Sequence, residues 1–158
     1  MLSSLIDLPA SQYNYVTVLP NDRPLLAVYE GHPFQNRGEI ALSEACNEPF
    51  IALSTQFAAR HHFDSLCETA GFKPNIVGQG DYQLRASLVR NQVGICMTTA
   101  MEVKNNLLEG LHFVELSSPI ERRAYNLYWD RHSELPSCAK KFRSFLMQWY
   151  KNCDLSAI

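Results

Sequence analysis

Two short stretches carry residues suited to holding a small anion. Leu53-Ser54-Thr55-Gln56 follows the apolar run Phe50 to Leu53 and precedes a helical pattern. The first N–H groups of a helix lack intrahelical partners and carry partial positive charge. Two hydroxyls beside them complete a cradle for a carboxylate, sulfate or phosphate. Ser and Thr are also ordinary helix caps, and both uses remain open. The second stretch, Gly78-Gln79-Gly80-Asp81, lies where a strand pattern meets another helix. Ligands of open α/β sheets gather at that edge. It is not a dinucleotide fingerprint, because the third glycine is missing, and no P-loop Lys-Ser/Thr follows. A plain turn with Asp81 as helix cap fits equally well. The candidate ligand contacts are therefore Ser54, Thr55, Gln56, Gln79, Gly80 and Asp81.

Other chemistry is thin. His61 and His62 are adjacent in a helical pattern, so their side chains diverge by ~100° and cannot chelate together. No HExxH or paired Cys/His set occurs, and no GxSxG elbow. Cys67 falls on an apolar helix face and Cys96 in an apolar strand, which suits packing better than nucleophilic attack. A Cys–His pair distant in sequence stays open. No metal, cofactor or catalytic residue is expected.

The elements that must position these stretches follow from hydrophobic spacing. Tyr13 to Leu19 reads as a strand ending at Pro20, with a turn at Asn21-Asp22-Arg23-Pro24. Leu25 to Tyr29 is a near-continuous apolar run, as in a strand buried on both faces. One helical turn is expected over Leu42 to Ala45, capped by Ser43. After the strand Phe50 to Leu53, Ser54 and Thr55 open a helix reaching about Ala70. Its apolar face is Phe63, Leu66, Cys67 and Ala70. Gly71 is placed for a left-handed C′ position, with Phe72 as the contact beyond it. Asn75 to Val77 starts a strand that Gly78 to Asp81 breaks. Leu84, Leu88 and Asn91 continue a helix to about Gln92. Gly94 to Met97 is a strand, and Thr98-Thr99 cap a brief helix. His112 to Leu116 and Arg123 to Trp129 add two strands. A last helix opens near Pro136-Ser137. Its apolar stripe, Phe142, Phe145, Leu146, Trp149 and Tyr150, suits a core or an oligomer contact, and Lys140, Lys141 and Arg143 lie off it. Short apolar strands separated by helices predict parallel pairing, hence an α/β fold.

Bulk properties exclude several classes. The 158 residues bear 14 Lys/Arg and 16 Asp/Glu, a net charge of −2, with 46% hydrophobic residues. A chain this long buries roughly 70% of its unfolded surface, enough for a core without staples. Without a basic block it is a poor nucleic-acid binder on its own. No apolar run approaches the ~18 residues of a membrane span. Met1 to Ala10 has no basic n-region, and Asp7 and Pro9 interrupt it, so no signal peptide is expected. Five scattered cysteines, Cys46, Cys67, Cys96, Cys138 and Cys153, fit reduced thiols in the cytoplasm.

At this point particular runs resemble LysR-type transcriptional regulators. Pro24-Leu-Leu-Ala-Val-Tyr-Glu-Gly-His-Pro-Phe34 resembles their hinge strand and His-Pro turn. Ile40 to Ala45 and Glu48 to Ser54 are similar to the lead into their second regulatory lobe. Leu66-Cys-Glu-Thr-Ala-Gly-Phe-Lys-Pro74 resembles the family's Ala-Gly-Phe-x-Pro helix end, and Leu88 to Ile95 its step into a Gly-hydrophobic strand. Tyr125 to Arg131 and Ala139 to Leu146 resemble the return strand and final helix. Met97-Thr-Thr99 departs from the family's Leu-Leu-Pro. Each motif is loose; their order and spacing from Leu25 to Tyr150 are more specific.

The resemblance implies a periplasmic-binding-protein-like (type 2) two-lobe fold, with the first lobe truncated and an effector held between lobes. On this basis residues 1–24 are a remnant of lobe 1. Residues 25–130 are hinge strands and lobe 2, with Leu25–Tyr29 and Tyr125–Trp129 as the crossings. Residues 131–158 return to lobe 1 as a C-terminal helix. The family's effector contacts fall on the same six residues chosen above. The winged helix-turn-helix and the first half of lobe 1 are missing from this sequence, so a fragment or unusually short member is expected, with DNA contacted only through a domain absent from this chain. The implied function is effector sensing by a small, anionic metabolite, without catalysis, in a cytoplasmic homodimer or higher oligomer. A solute-binding-protein-like binder and a small cytosolic thiol enzyme using Cys67 or Cys96 are the alternatives.

Overall fold

In chain order the elements are β1 (Leu2–Ser3), β2 (Tyr13–Asp22), β3 (Pro24–Val28), β4 (Glu39–Ile40), a 3-10 turn (Leu42–Ala45), β5 (Pro49–Leu53), α1 (Ala58–Thr69), β6 (Asn75–Gly80), α2 (Tyr82–Arg90), β7 (Cys96–Thr99), α3 (Ala100–Lys104), β8 (His112–Leu116), β9 (Arg123–Asp130) and α4 (Ser137–Lys151). This computed structural model describes residues 1–3, 8–117 and 119–152. Asp7 and the Cys153 thiol lie outside the described residues. The chain forms two compact units, Met1–Asp22 with Arg122–Ala157, and Arg23–Glu121.

In the first unit, β9 lies between β1 and β2 in an antiparallel sheet. The turn expected over Asn21 to Pro24 does not form. Instead β2 runs on to pair Asp22 with Arg123, with register shifts between Thr17 and Leu19 and between Leu19 and Asp22. A proline has no N–H to give a ladder, and Pro20 falls within the second irregularity, where none is needed. On α4 the wide apolar stripe splits. Ala139, Arg143, Leu146 and Tyr150 form one half-buried row. From this row Arg143 lies over the Trp129 ring at 4.7 Å and Tyr150 stacks on Tyr125 at 6.4 Å. Phe142, Phe145 and Trp149 are 60%, 59% and 48% exposed, so they join no core within this unit. Arg143, expected off the packed face, lies on it because its long stem and planar head cover aromatic surface.

In the second unit the sheet order is β4-β8-β3-β7, and β5 pairs in parallel with β6. A bridge from Phe50 to Ile95 joins these two groups. Pairing is therefore mixed rather than all parallel: β3 runs antiparallel to both β7 and β8. Crossover helices impose parallel pairing only on the strands they connect, and no helix leads from β3 to its neighbours directly. All five residues of β3 are buried, as the apolar run demanded. Successive residues serve opposite faces. Leu26, Val28, Phe50 and Ala52 pack with Phe63, Leu66 and Cys67 of α1. Ala27, Ile51 and Cys96 pack with Ala86 and Val89 of α2. The unit is thus three layers, helix on sheet on helix. Each large apolar side chain so buried stabilises it by roughly 1.5–3 kcal/mol.

Helix ends follow local chemistry, with corrections. α1 stops at a Schellman motif: Gly71 has φ +85°, its N–H donates to the Glu68 carbonyl, and the Phe72 N–H donates to the Cys67 carbonyl, both at 3.0 Å. The 3-10 turn is not capped by Ser43. Its N-cap is Ala41, whose N–H donates to the Glu44 carboxylate at 2.9 Å. The buried face of α2 is Arg85, Ala86 and Val89, while Leu84 is 47% exposed and Asn91 caps the C-terminus.

Candidate functional site

The two junctions singled out by sequence are neighbours. β5 and β6 run in parallel with Leu53 opposite Gly80 and Ala52 opposite Gln79. Both therefore release their chains at the same sheet edge. The Ser54 N–H donates to the Gly80 carbonyl at 2.9 Å, tying one junction to the other.

The Gly78-Gln79-Gly80 segment does not break the strand; β6 continues through Gly80. The glycines serve close packing instead. A Cβ on Gly80 would meet the Leu84 side chain at 2.6 Å, and one on Gly78 would meet Ile51 at 3.2 Å. Asp81 is the helix cap, its Oδ1 accepting the Leu84 N–H at 2.9 Å. A carboxylate thus already occupies the positive end of α2. Asp81→Ala is expected to lower stability by about 1 kcal/mol, read as a lower urea midpoint at unchanged slope. An unaltered midpoint would refute the cap.

Ser54 and Thr55 do not cap α1. The chain first makes a turn closed by the Phe57 N–H on the Ser54 carbonyl at 3.0 Å. Helix begins at Ala58 with Phe57 as N-cap and no side-chain hydrogen bond to its free amides. Ser54 is half-buried, and Thr55 and Gln56 are exposed in this turn. The two helix starts touch through rings, Phe57 edge-on to Tyr82 at 5.5 Å.

Sequence reasoning missed Arg60. Its Nη1 donates to the Leu53 carbonyl at 3.2 Å and to Gln79 Oε1 at 3.3 Å, while its Nε pairs with both Asp64 oxygens at 3.0 Å. One guanidinium thus spans both junctions. The i,i+4 spacing to Asp64 was a visible signal for a helix-surface pair, but nothing in the sequence marked the reach back to the strand ends. A groove of about 660 Å³ flanks this guanidinium, lined also by Glu68, Phe72, Lys73 and Ile76. It shares only Arg60 with the junctions.

Cys67 and Cys96 are poor nucleophiles. Both are fully buried. Burial, with the Asp64 charge adding to it, pushes Cys67 up to about 12. Burial also pushes Cys96 up to about 11, against the lowering effect of Arg85 and with Glu102 raising it further. At neutral pH both stay protonated, and thiols react as thiolates. Iodoacetamide is expected to label exposed Cys138 first, and Cys67 and Cys96 only after denaturation. Rapid labelling of either buried thiol would revive a thiol enzyme. Among the described residues no three His, Cys, Asp or Glu side chains gather to hold a metal. No helix among them is long and apolar enough to cross a membrane.

Comparison with known proteins identifies the family and the fold. The family described as LysR substrate binding domain matches residues 5–151. The uncharacterized HTH-type transcriptional regulator YybE of Bacillus subtilis (strain 168) is 27% identical over 120 residues, which is 75% of this chain and 40% of that protein. The chain thus spans well under half of that relative. The effector binding domain of QuiR, solved in complex with shikimate, superposes with a TM-score of 0.77 at 17% identity, covering 95% of this chain and 70% of that one. The BenM effector binding domain with its effector benzoate gives 0.74 at 20% identity, covering 95% and 68%. The chain belongs to the LysR substrate binding domain family, with the type 2 periplasmic-binding-like fold of the family's effector-binding domains.

Proposed function

We propose that this chain senses a small carboxylate for a LysR-type transcriptional regulator, and that the ligand meets the carboxyl ends of β5 and β6. The observation that carries this reading is the pairing of Leu53 with Gly80, which sets Ser54-Thr55-Gln56 beside Gln79-Gly80-Asp81. In this reading the Thr55 hydroxyl, the Gln56 amide and the uncapped amides of α1 receive the carboxylate. Arg60 lends positive charge behind them. Asp81 repels a second anion and accepts a ligand hydroxyl with its remaining oxygen, which favours a monocarboxylate bearing hydroxyl or ring carbons. Shikimate and benzoate, the molecules bound by QuiR and BenM, have that chemistry. No bond is made or broken.

The ligand would act by differential affinity for two arrangements of the protein. The response would reach DNA through a helix-turn-helix domain of the full regulator, working as a cytoplasmic homodimer. In this reading the first unit belongs to lobe 1 and the second to lobe 2, which moves residues 122–130, expected in the 25–130 segment, to the lobe 1 side.

Thermal melts with shikimate, benzoate and inorganic phosphate test the proposal. A ligand at a hundred times its Kd stabilises by about 2.7 kcal/mol, a shift of several degrees. Thr55→Ala with Gln56→Ala is expected to abolish that shift while leaving the unliganded melt near its original temperature. A flat response across the panel, or a shift the double variant retains, overturns the site.

A further inference from the structure

Beneath the two junctions lies a buried ionic pair that the ligand reading does not use. Arg85, in the first turn of α2, is 3% exposed and Glu102, on α3, is 7% exposed. Arg85 Nη2 donates to Glu102 Oε2 at 2.7 Å, and Nη1 donates to the Met97 carbonyl at 2.9 Å. The Thr98 hydroxyl donates to the same Glu102 oxygen at 2.8 Å. Side chains in a helix lean toward its N-terminus. Accordingly the Arg85 guanidinium also lies 5.2 Å from the centre of the Tyr82 ring, three residues back. Tyr82 in turn meets Phe57 edge-on at 5.5 Å, and Phe57 is the N-cap of α1.

These contacts run in one line from β7 and α3, through α2, to the start of α1. We propose that Arg85 is a positioning residue: held by Glu102 and Met97, it fixes Tyr82 against Phe57 and so sets the spacing between the β5–α1 and β6–α2 junctions. Lysine cannot replace it, because a point charge does not offer two donors in a fixed fork together with a flat face for the ring. The consequence for ligand affinity rests on the site proposed above; the positioning itself does not.

Amide hydrogen exchange on the whole chain, without ligand, tests the positioning. The reporters are the Ser54 and Phe57 amides, bonded to the Gly80 and Ser54 carbonyls. The reference is the Phe72 amide, bonded to the Cys67 carbonyl at the far end of α1. Arg85→Lys, which keeps a charge opposite Glu102, is expected to speed exchange at Ser54 and Phe57 about tenfold more than at Phe72, as local opening rather than global unfolding. Tyr82 is only half-buried, so Tyr82→Leu keeps the ion pair and the fold while removing the ring. It is expected to speed Phe57 exchange alike, and Tyr82→Phe to restore it. Equal acceleration at Phe72, or an unchanged Phe57 rate in Tyr82→Leu, overturns the proposal. A failed ligand panel beside a positive exchange result removes the site and leaves the positioning intact; the reverse combination does the opposite.

Discussion

Arg85→Ala is expected to destabilise the chain by about 3–5 kcal/mol, because removing one partner of a buried pair strands the other charge. Glu102 would keep the Thr98 hydroxyl as a neighbour but lose the Arg85 guanidinium. Coulomb attraction is not the main term. Two desolvated ions roughly break even against apolar residues of similar size. The cost lies in the orphaned carboxylate and in the Met97 carbonyl, which loses the Arg85 donor. The double variant Arg85→Met with Glu102→Leu is therefore expected to recover most of the loss. Urea unfolding of the three proteins decides the matter. If the double variant is as unstable as Arg85→Ala, packing volume rather than charge holds α2 to α3.

Gly94→Val is the second large effect, and it acts on the seam of the sheet. A Cβ at Gly94 would lie 2.4 Å from the Pro49 carbonyl oxygen and 3.0 Å from its carbon. Both obstacles are backbone, so neither swings aside. That same oxygen accepts the Ile95 N–H at 2.8 Å, and the Ile51 N–H donates to the Ile95 carbonyl at 2.8 Å. These bonds join β5 to the strand line of β7. Forcing them apart leaves buried groups unpaired at about 1–3 kcal/mol each, and overpacking beside Ile51 adds about 1–3 kcal/mol. A loss of about 3–9 kcal/mol follows, enough to unfold a chain of ordinary stability. Gly38→Ala is the control, since nothing lies within 4 Å of an added Cβ there. It is expected to stay within ~0.5 kcal/mol of the parent. Equal melting temperatures for the two variants would refute the seam argument.

What could be read from sequence was what local chemistry decides. The Gly71-Phe72 stop needs only a left-handed residue and its neighbour, and it forms as written. Asp81 caps α2, and Thr99 caps α3 by accepting the Glu102 N–H at 3.4 Å. β3 announced its burial through five consecutive apolar or proline positions. The misreadings share another origin. Ser54 and Thr55 have the right types for a cap, yet the turn through Phe57 delays the helix, and no residue type forbids that turn. The direction of β3 depends on where the chain returns some 70 residues later, which periodicity does not record. Leu84, Leu88 and Asn91 marked α2 as a helix, but its buried face is Arg85, Ala86 and Val89, and a buried arginine is not foreseeable without its partner Glu102. The junctions themselves were legible as chemistry. Their facing one gap was expected from the resemblance; residue types alone do not record it, because it rests on the register of β5 with β6.

The direction of β3 also bears on how this protein is made. It leaves the ribosome as five apolar or proline residues ahead of both its hydrogen-bonding partners, Cys96–Thr99 and His112–Leu116. At roughly 5–20 residues per second, translation delivers the first of them only after about 4–15 s. During that interval the middle of the future sheet is an uncovered sticky ribbon, and contacts so far apart in sequence close slowly. Such a nascent chain is a natural client for chaperones that shield apolar segments, and overproduction at lower temperature should favour soluble yield.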